Sequence, residues 1–135
     1  MMLKDTLLES GHSLVASNGY CSDESGIKPV ILPMNEDLHF FEGLSVADKI
    51  VGKASAMLLA LSGTKEVYAH ILSIAGKQIL ERYGIAYEYG EIVDIIVNRK
   101  GDGMCPMEAT VKDIDDPMKA FEALNERIAQ MRKGI

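Results

Sequence analysis

The chain of 135 residues is 47% apolar and 25% charged, the make-up of one compact domain able to bury about two thirds of the surface its unfolded form exposes. Its net charge of −6 and pI near 5.0 exclude the basic face of a nucleic-acid binder, and its two cysteines are too few for a disulfide scaffold or a four-sulfur zinc site. No apolar run reaches signal-peptide or membrane-span length, so the expectation is a cytoplasmic protein with no membrane partner, organised as a single domain over residues 1–135.

In chain order, Leu3 to Ser10 reads as a short helix stopped by Gly11, and Ser13 to Ser17 as a strand. Asn18 to Gly26 is a polar turn. Lys28 to Leu32 and Asp37 to Phe41 read as extended segments on either side of a Pro-Met-Asn-Glu break. From Val46 to Leu61, apolar residues recur at spacings of three and four, which predicts one long helix. In that helix Ser45 is the N-cap, Asp48 stands at the third position, and Lys53 points towards solvent.

Glu66 to Leu72 is apolar on both faces and predicts an interior strand carrying a hydrogen-bonded core histidine, His70. Ser73 caps a helix from Ile74 to Tyr83, which Gly84 ends. Ile85 to Tyr89 and Glu91 to Asn98 read as strands. Cys105 and Pro106 stand where an N-cap and first helical residue belong, opening a helix to about Lys112, and Asp115 or Asp116 with Pro117 repeats the signal for a last helix to about Met131. Helices alternating with strands predict a layered α/β domain on one central sheet.

The Gly52-Lys53 pair resembles the end of a P-loop, but that motif needs a glycine five residues earlier and position 47 is alanine. Gly52 is read instead as a close-packing position. None of His12, His39 and His70 stands at metal-ligand spacing, so neither a metal nor a cofactor is expected.

The segment Gly101-Asp-Gly-Met-Cys-Pro-Met-Glu108 concentrates the chemistry. Amide N–H groups at a helix start favour an anion at Cys105, whereas Asp102 and Glu108 oppose one. Cys105 is thus either a structural cap or a nucleophile served by Asp48 or Glu108 as proton acceptor. Glu108, three residues into the helix, is placed to bond the N-cap amide in a capping box. Gly101 and Gly103 form either a tight turn or a concave nest of amides for an anion, supported by Arg99.

"GIKP" (Gly26 to Pro29), "VADKIVGKASA" (Val46 to Ala56), "EVYA" (Glu66 to Ala69), "YGI" (Tyr83 to Ile85) and "NRKGDGMCPME" (Asn98 to Glu108) resemble a bacterial family, domain-of-unknown-function family 1893. The resemblance implies a cytidine-deaminase-like fold, a three-layer α/β/α sandwich with a central mixed sheet. It does not imply deamination, because neither "ADKIVGKASA" nor "SIAGKQ" carries the His, Cys and Glu pattern with which the zinc deaminases hold metal and activate water. The Asn-Arg and Cys-Pro-Met-Glu residues recur in that family, here Asn98, Arg99, Cys105, Pro106, Met107 and Glu108, and they are expected to line one pocket with Asp48 and Lys53. The expected function is binding of a small polar, anionic or nucleotide-like molecule, with Lys53, Asn98, Arg99, Gly101 and Gly103 as ligand contacts. Two readings stand beside it: an enzyme built on Cys105, Asp48 and Glu108, and a regulatory module acting as a homo-oligomer.

Overall fold

The structure is a computed structural model that describes residues 2–133. Five strands form one mixed sheet in the order β2-β1-β3-β4-β5. They are β1 (Leu14–Ala16), β2 (Cys21–Ser22), β3 (Ser45–Val51), β4 (Glu66–Ser73) and β5 (Ala86–Val93). β1 is antiparallel to both β2 and β3, while β3, β4 and β5 are mutually parallel. Consequently β2 runs the same way as the three parallel strands, and four of the five strands end at one edge of the sheet.

Among the described residues there are six helices: α1 (Met2–Ser10), α2 (Lys28–Glu36), α3 (Lys53–Ser62), α4 (Ile74–Arg82), α5 (Pro106–Val111) and α6 (Pro117–Lys133). Strand alternation divides the apolar residues between two faces. Val15, Ala47 and Tyr68 pack with Leu7 of α1 on one side. Leu14, Val46, Val67 and Ala69 join the buried stripes of α2 to α6 in the larger core on the other. Helices therefore cover both faces, the layering expected of an α/β/α sandwich. Among the described residues, no helix is long and apolar enough to cross a membrane.

The first strand, the interior strand from Glu66 and the helices opening at Ser73, Cys105 and Pro117 fall where the sequence puts them. Val46 to Leu61 is different: its first half is β3 and its second half is α3, with Gly52 between them as the helix N-cap. Val46, Ala47, Ile50 and Val51 satisfy a helical period, but pairing with β1 on one side and β4 on the other overrides it.

Lys28 to Leu32, read as extended, opens α2, where Pro29, Val30, Ile31 and Met34 are buried. Pro33 inside this helix cannot donate to the carbonyl of Pro29. Tyr20 Oη–H donates to that carbonyl at 2.8 Å in its place. Asp37 to Phe41 is a run of turns rather than a strand. Phe41 is fully buried there, its amide donating to Ser62 Oγ at 2.8 Å.

β5 joins Ala86 to Val93 in one strand, so the extended reading of Glu91 to Asn98 holds only as far as Val93. His70 is exposed and not a core residue, and Tyr68 Oη lies 3.2 Å from its Nδ1.

Candidate functional site

Because β3, β4 and β5 are parallel, their carboxyl ends lead into α3, into α4 and into residues 94–104 at one edge of the sheet. In open α/β sheets this edge is where ligands bind. A crevice of about 270 Å³ lies there, lined by Lys53 at the start of α3 and by Ser73, Ala75, Gln78, Ile79 and Arg82 of α4 or its cap. Asp94, Ile95, Ile96 and Met104 form a further wall, completed by Glu108, Lys112 and Asp115.

The two helix starts are built closely against each other. A Cβ at Gly76 would stand 3.0 Å from Val51 O and from the Gly52 carbonyl carbon, so a side chain there would push α4 back from the β3–α3 turn by a few tenths of an ångström. Ser73 caps α4, its Oγ accepting from Gly76 N at 2.9 Å. α3 has no side-chain cap of its own, because Gly52 has none to offer.

Glu108 supplies the missing cap from 55 residues away. Its Oε1 accepts from Lys53 N at 2.7 Å and its Oε2 from Ala54 N at 2.8 Å. A Cβ at Gly52 would overlap this carboxylate, which gives the close-packing reading of Gly52 its physical content. Burial pushes the Glu108 carboxyl above its ordinary range, opposed by the amide hydrogen bonds from Ala54 and Lys53. Glu108 does not form the local capping box with Cys105, whose amide donates instead to Ile96 O at 2.8 Å, and its carboxylate serves the α3 amides.

The charges around the crevice divide into engaged and unengaged groups. Lys53 Nζ donates to Lys112 O at 3.0 Å and lies 4.0 Å from Asp115 Oδ1. Among the described residues, Arg82, Asp94 and the Lys112 ammonium have no hydrogen-bond or ion-pair partner. No group of three His, Cys, Asp or Glu side chains among the described residues is placed to hold a metal ion.

Of the residues singled out in the sequence, Lys53 and Glu108 line the crevice, and the others stand elsewhere. Asp48 lies in β3 between Leu14 and Ala69 of the neighbouring strands, 3% exposed. Its Oδ1 accepts from Ile50 N at 3.4 Å, while Oδ2 has no partner among the described residues. Burial pushes its carboxyl up to about 8. Cys105 is the half-buried N-cap of α5, but its thiol makes no capping hydrogen bond and packs against the main core.

Asn98 organises the glycine turn. Its Nδ2 donates to Asp102 Oδ1 at 2.8 Å, its Oδ1 accepts from Asp102 N at 3.3 Å, and its own N donates to Gly103 O at 2.8 Å. Gly101 has φ 74° within this turn, a conformation that favours glycine. Arg99 points away from the turn, its Nη2 donating to Ser25 Oγ at 3.1 Å.

Arg82, Asp94, Lys112 and Asp115 escape the sequence reading. A signal for two of them existed: Ala75, Gln78 and Arg82 recur at helical spacing on one face of α4, and Asp94 directly follows a parallel strand.

Residues 2–128 match a family described as a domain of unknown function (DUF1893). The crystal structure of a DUF1893 family protein from Thermotoga maritima, at 2.70 Å resolution, superposes with a TM-score of 0.84 at 27% sequence identity. The match covers 93% of this chain and 87% of that one. No curated protein matches the chain.

Proposed function

We propose that this chain, which belongs to the DUF1893 family, is a single-domain cytoplasmic protein that binds a small polar or anionic molecule in the crevice at the carboxyl ends of β3, β4 and β5. The fold we assign to it is cytidine-deaminase-like. The strand order, with β1 antiparallel and two successive strand–helix units leading from β3 to β5, supports that assignment. The helix starts carry Gly52-Lys53-Ala54-Ser55 and Ser73-Ile74-Ala75-Gly76, residue types that do not fit a zinc site.

The observation that carries the reading is three charged side chains, Arg82, Lys112 and Asp94, lining one crevice without a hydrogen-bond or ion-pair partner among the described residues. Arg82 closes α4 and Lys112 follows α5; their unengaged cations offer charge-assisted donors to a carboxylate or phosphate, and the Asp94 carboxylate accepts from a donor group on the same small molecule. Lys53, tied to the Lys112 carbonyl, holds the α5–α6 connection beside them. The ligand is a nucleotide, a nucleobase derivative or an acidic metabolite small enough for about 270 Å³.

The test is thermal unfolding across a panel of these compounds, repeated with Arg82→Ala. A ligand at a hundredfold excess over its Kd stabilises by about 2.7 kcal/mol, so at least one compound is expected to raise the Tm by several degrees. Arg82→Ala is expected to weaken that compound about tenfold or more, the loss of one charge-assisted contact. A panel with no shift in the parent protein overturns the reading.

A further inference from the structure

Residues 94–104 stand apart from the rest of the fold. They form a short hairpin closed on itself: Val97 bridges Met104, Cys105 N donates to Ile96 O at 2.8 Å, and the Asn98 and Asp102 side chains brace the tip. None of residues 94–104 joins the main core. Ile95 and Val97 are 46% and 53% exposed, although both are large and apolar. Among the described residues, the one side-chain hydrogen bond from this hairpin to a distant part of the chain is Arg99 Nη2 to Ser25 Oγ at 3.1 Å.

The position of that contact is informative. The hairpin leaves the end of β5, at one edge of the sheet, and Ser25 follows β2 at the opposite edge. Since β2 runs the same way as β5, Ser25 lies at the same end of the sheet as the crevice. Five strands at about 4.8 Å spacing put these edges roughly 19 Å apart, a span that residues 94–99 cover when extended at about 3.3 Å each. The hairpin therefore strides across the carboxyl ends of the strands, and Asp94, Ile95, Ile96 and Met104 within it wall the crevice.

We propose that residues 94–104 are a lid over the crevice, braced internally by Asn98 and latched closed by the contact of Arg99 with Ser25. The inference rests on the crevice being the ligand site argued above. It gives the Asn-Arg-Lys-Gly-Asp-Gly stretch a mechanical task. Asn98, Gly101 and Asp102 keep the hairpin rigid, so it moves as one body about its two ends. Arg99 sets the fraction of time for which it is open.

Labelling of Ala75→Cys, a small change in the crevice wall, by fluorescein maleimide reads the opening without any ligand, with site-resolved peptide mass spectrometry and the exposed Cys21 as internal reference. Adding Arg99→Ala is expected to speed labelling at position 75 about fivefold, the loss of one exposed hydrogen bond, while the rate at Cys21 and the Tm stay unchanged. Equal rates at position 75, or acceleration at both positions, overturn the lid. Should Ala75→Cys fail to fold, spin labels at Glu24→Cys and Lys100→Cys, both exposed, in a Cys21→Ser, Cys105→Ala background give a second reading. Arg99→Ala is expected to add a longer-distance population there, and an unchanged distribution overturns the proposal. A flat ligand panel would overturn the binding reading without touching either measurement, so the two failures are separable.

Discussion

Asp48→Asn is expected to remove a loss of stability that the parent protein suffers as pH rises from about 4 to about 8. The Asp48 carboxyl is 3% exposed, has one oxygen without a partner among the described residues, and is pushed by burial from an ordinary 3.8 up to about 8. In that interval the folded protein keeps a proton that the unfolded chain has released. Stability is therefore greatest below about pH 4 and falls as pH rises through 8.

Ionising a fully buried carboxyl held that far from its ordinary range costs on the order of 5 kcal/mol. Asparagine matches the protonated acid in shape and carries no charge to bury. Urea unfolding at pH 4 and pH 8.5 is expected to show the two proteins within about 1 kcal/mol at the lower value, with the variant ahead by several kcal/mol at the higher. Parallel stability curves would show that Asp48 does not carry the dependence.

Glu108→Ala is expected to destabilise the fold by about 2–4 kcal/mol, because it leaves two helix-start amides, Lys53 N and Ala54 N, without an acceptor in a partly closed site. Glu108→Gln is expected to cost about half as much, since a side-chain amide offers one acceptor oxygen where the carboxylate offers two. Denaturant midpoints with an unchanged slope would report this directly. A Glu108→Ala change within about 0.5 kcal/mol of the parent would mean that the core contacts of Met107 and Val111, not the carboxylate, hold α5 against α3.

What was legible in the sequence follows the range over which each signal acts. Ser73 and Pro117 mark helix starts through their own backbone neighbourhoods, and both starts appear as read. Gly52 was legible as a point of close approach, but the atom that approaches it was not. Glu108 illustrates the limit: three residues after Cys105 it satisfies a local capping rule, yet it caps a helix 55 residues away. Periodicity fails for a related reason at Val46 to Val51, where a strand buried between two others spaces its apolar residues as a helix would. The crevice itself is written in strand direction, which only the pairing of β3, β4 and β5 establishes.

The sheet order has a further consequence for how the molecule assembles. All the parallel pairing lies within the continuous stretch from Ser45 to Val93, each strand joined to the next through a single helix. Its contacts close short loops, whereas the reciprocal amide pair of Asn35 and Asn125, at 2.9 Å in both directions, closes one of 90 residues. Loop entropy favours the short closures, so the strands that create the crevice form before α6 docks on α3 and its Asn125 reaches Asn35 of α2. Pulsed amide exchange during refolding is expected to protect β3 and β4 ahead of α6, which would make the crevice end of the sheet the oldest part of each newly folded molecule.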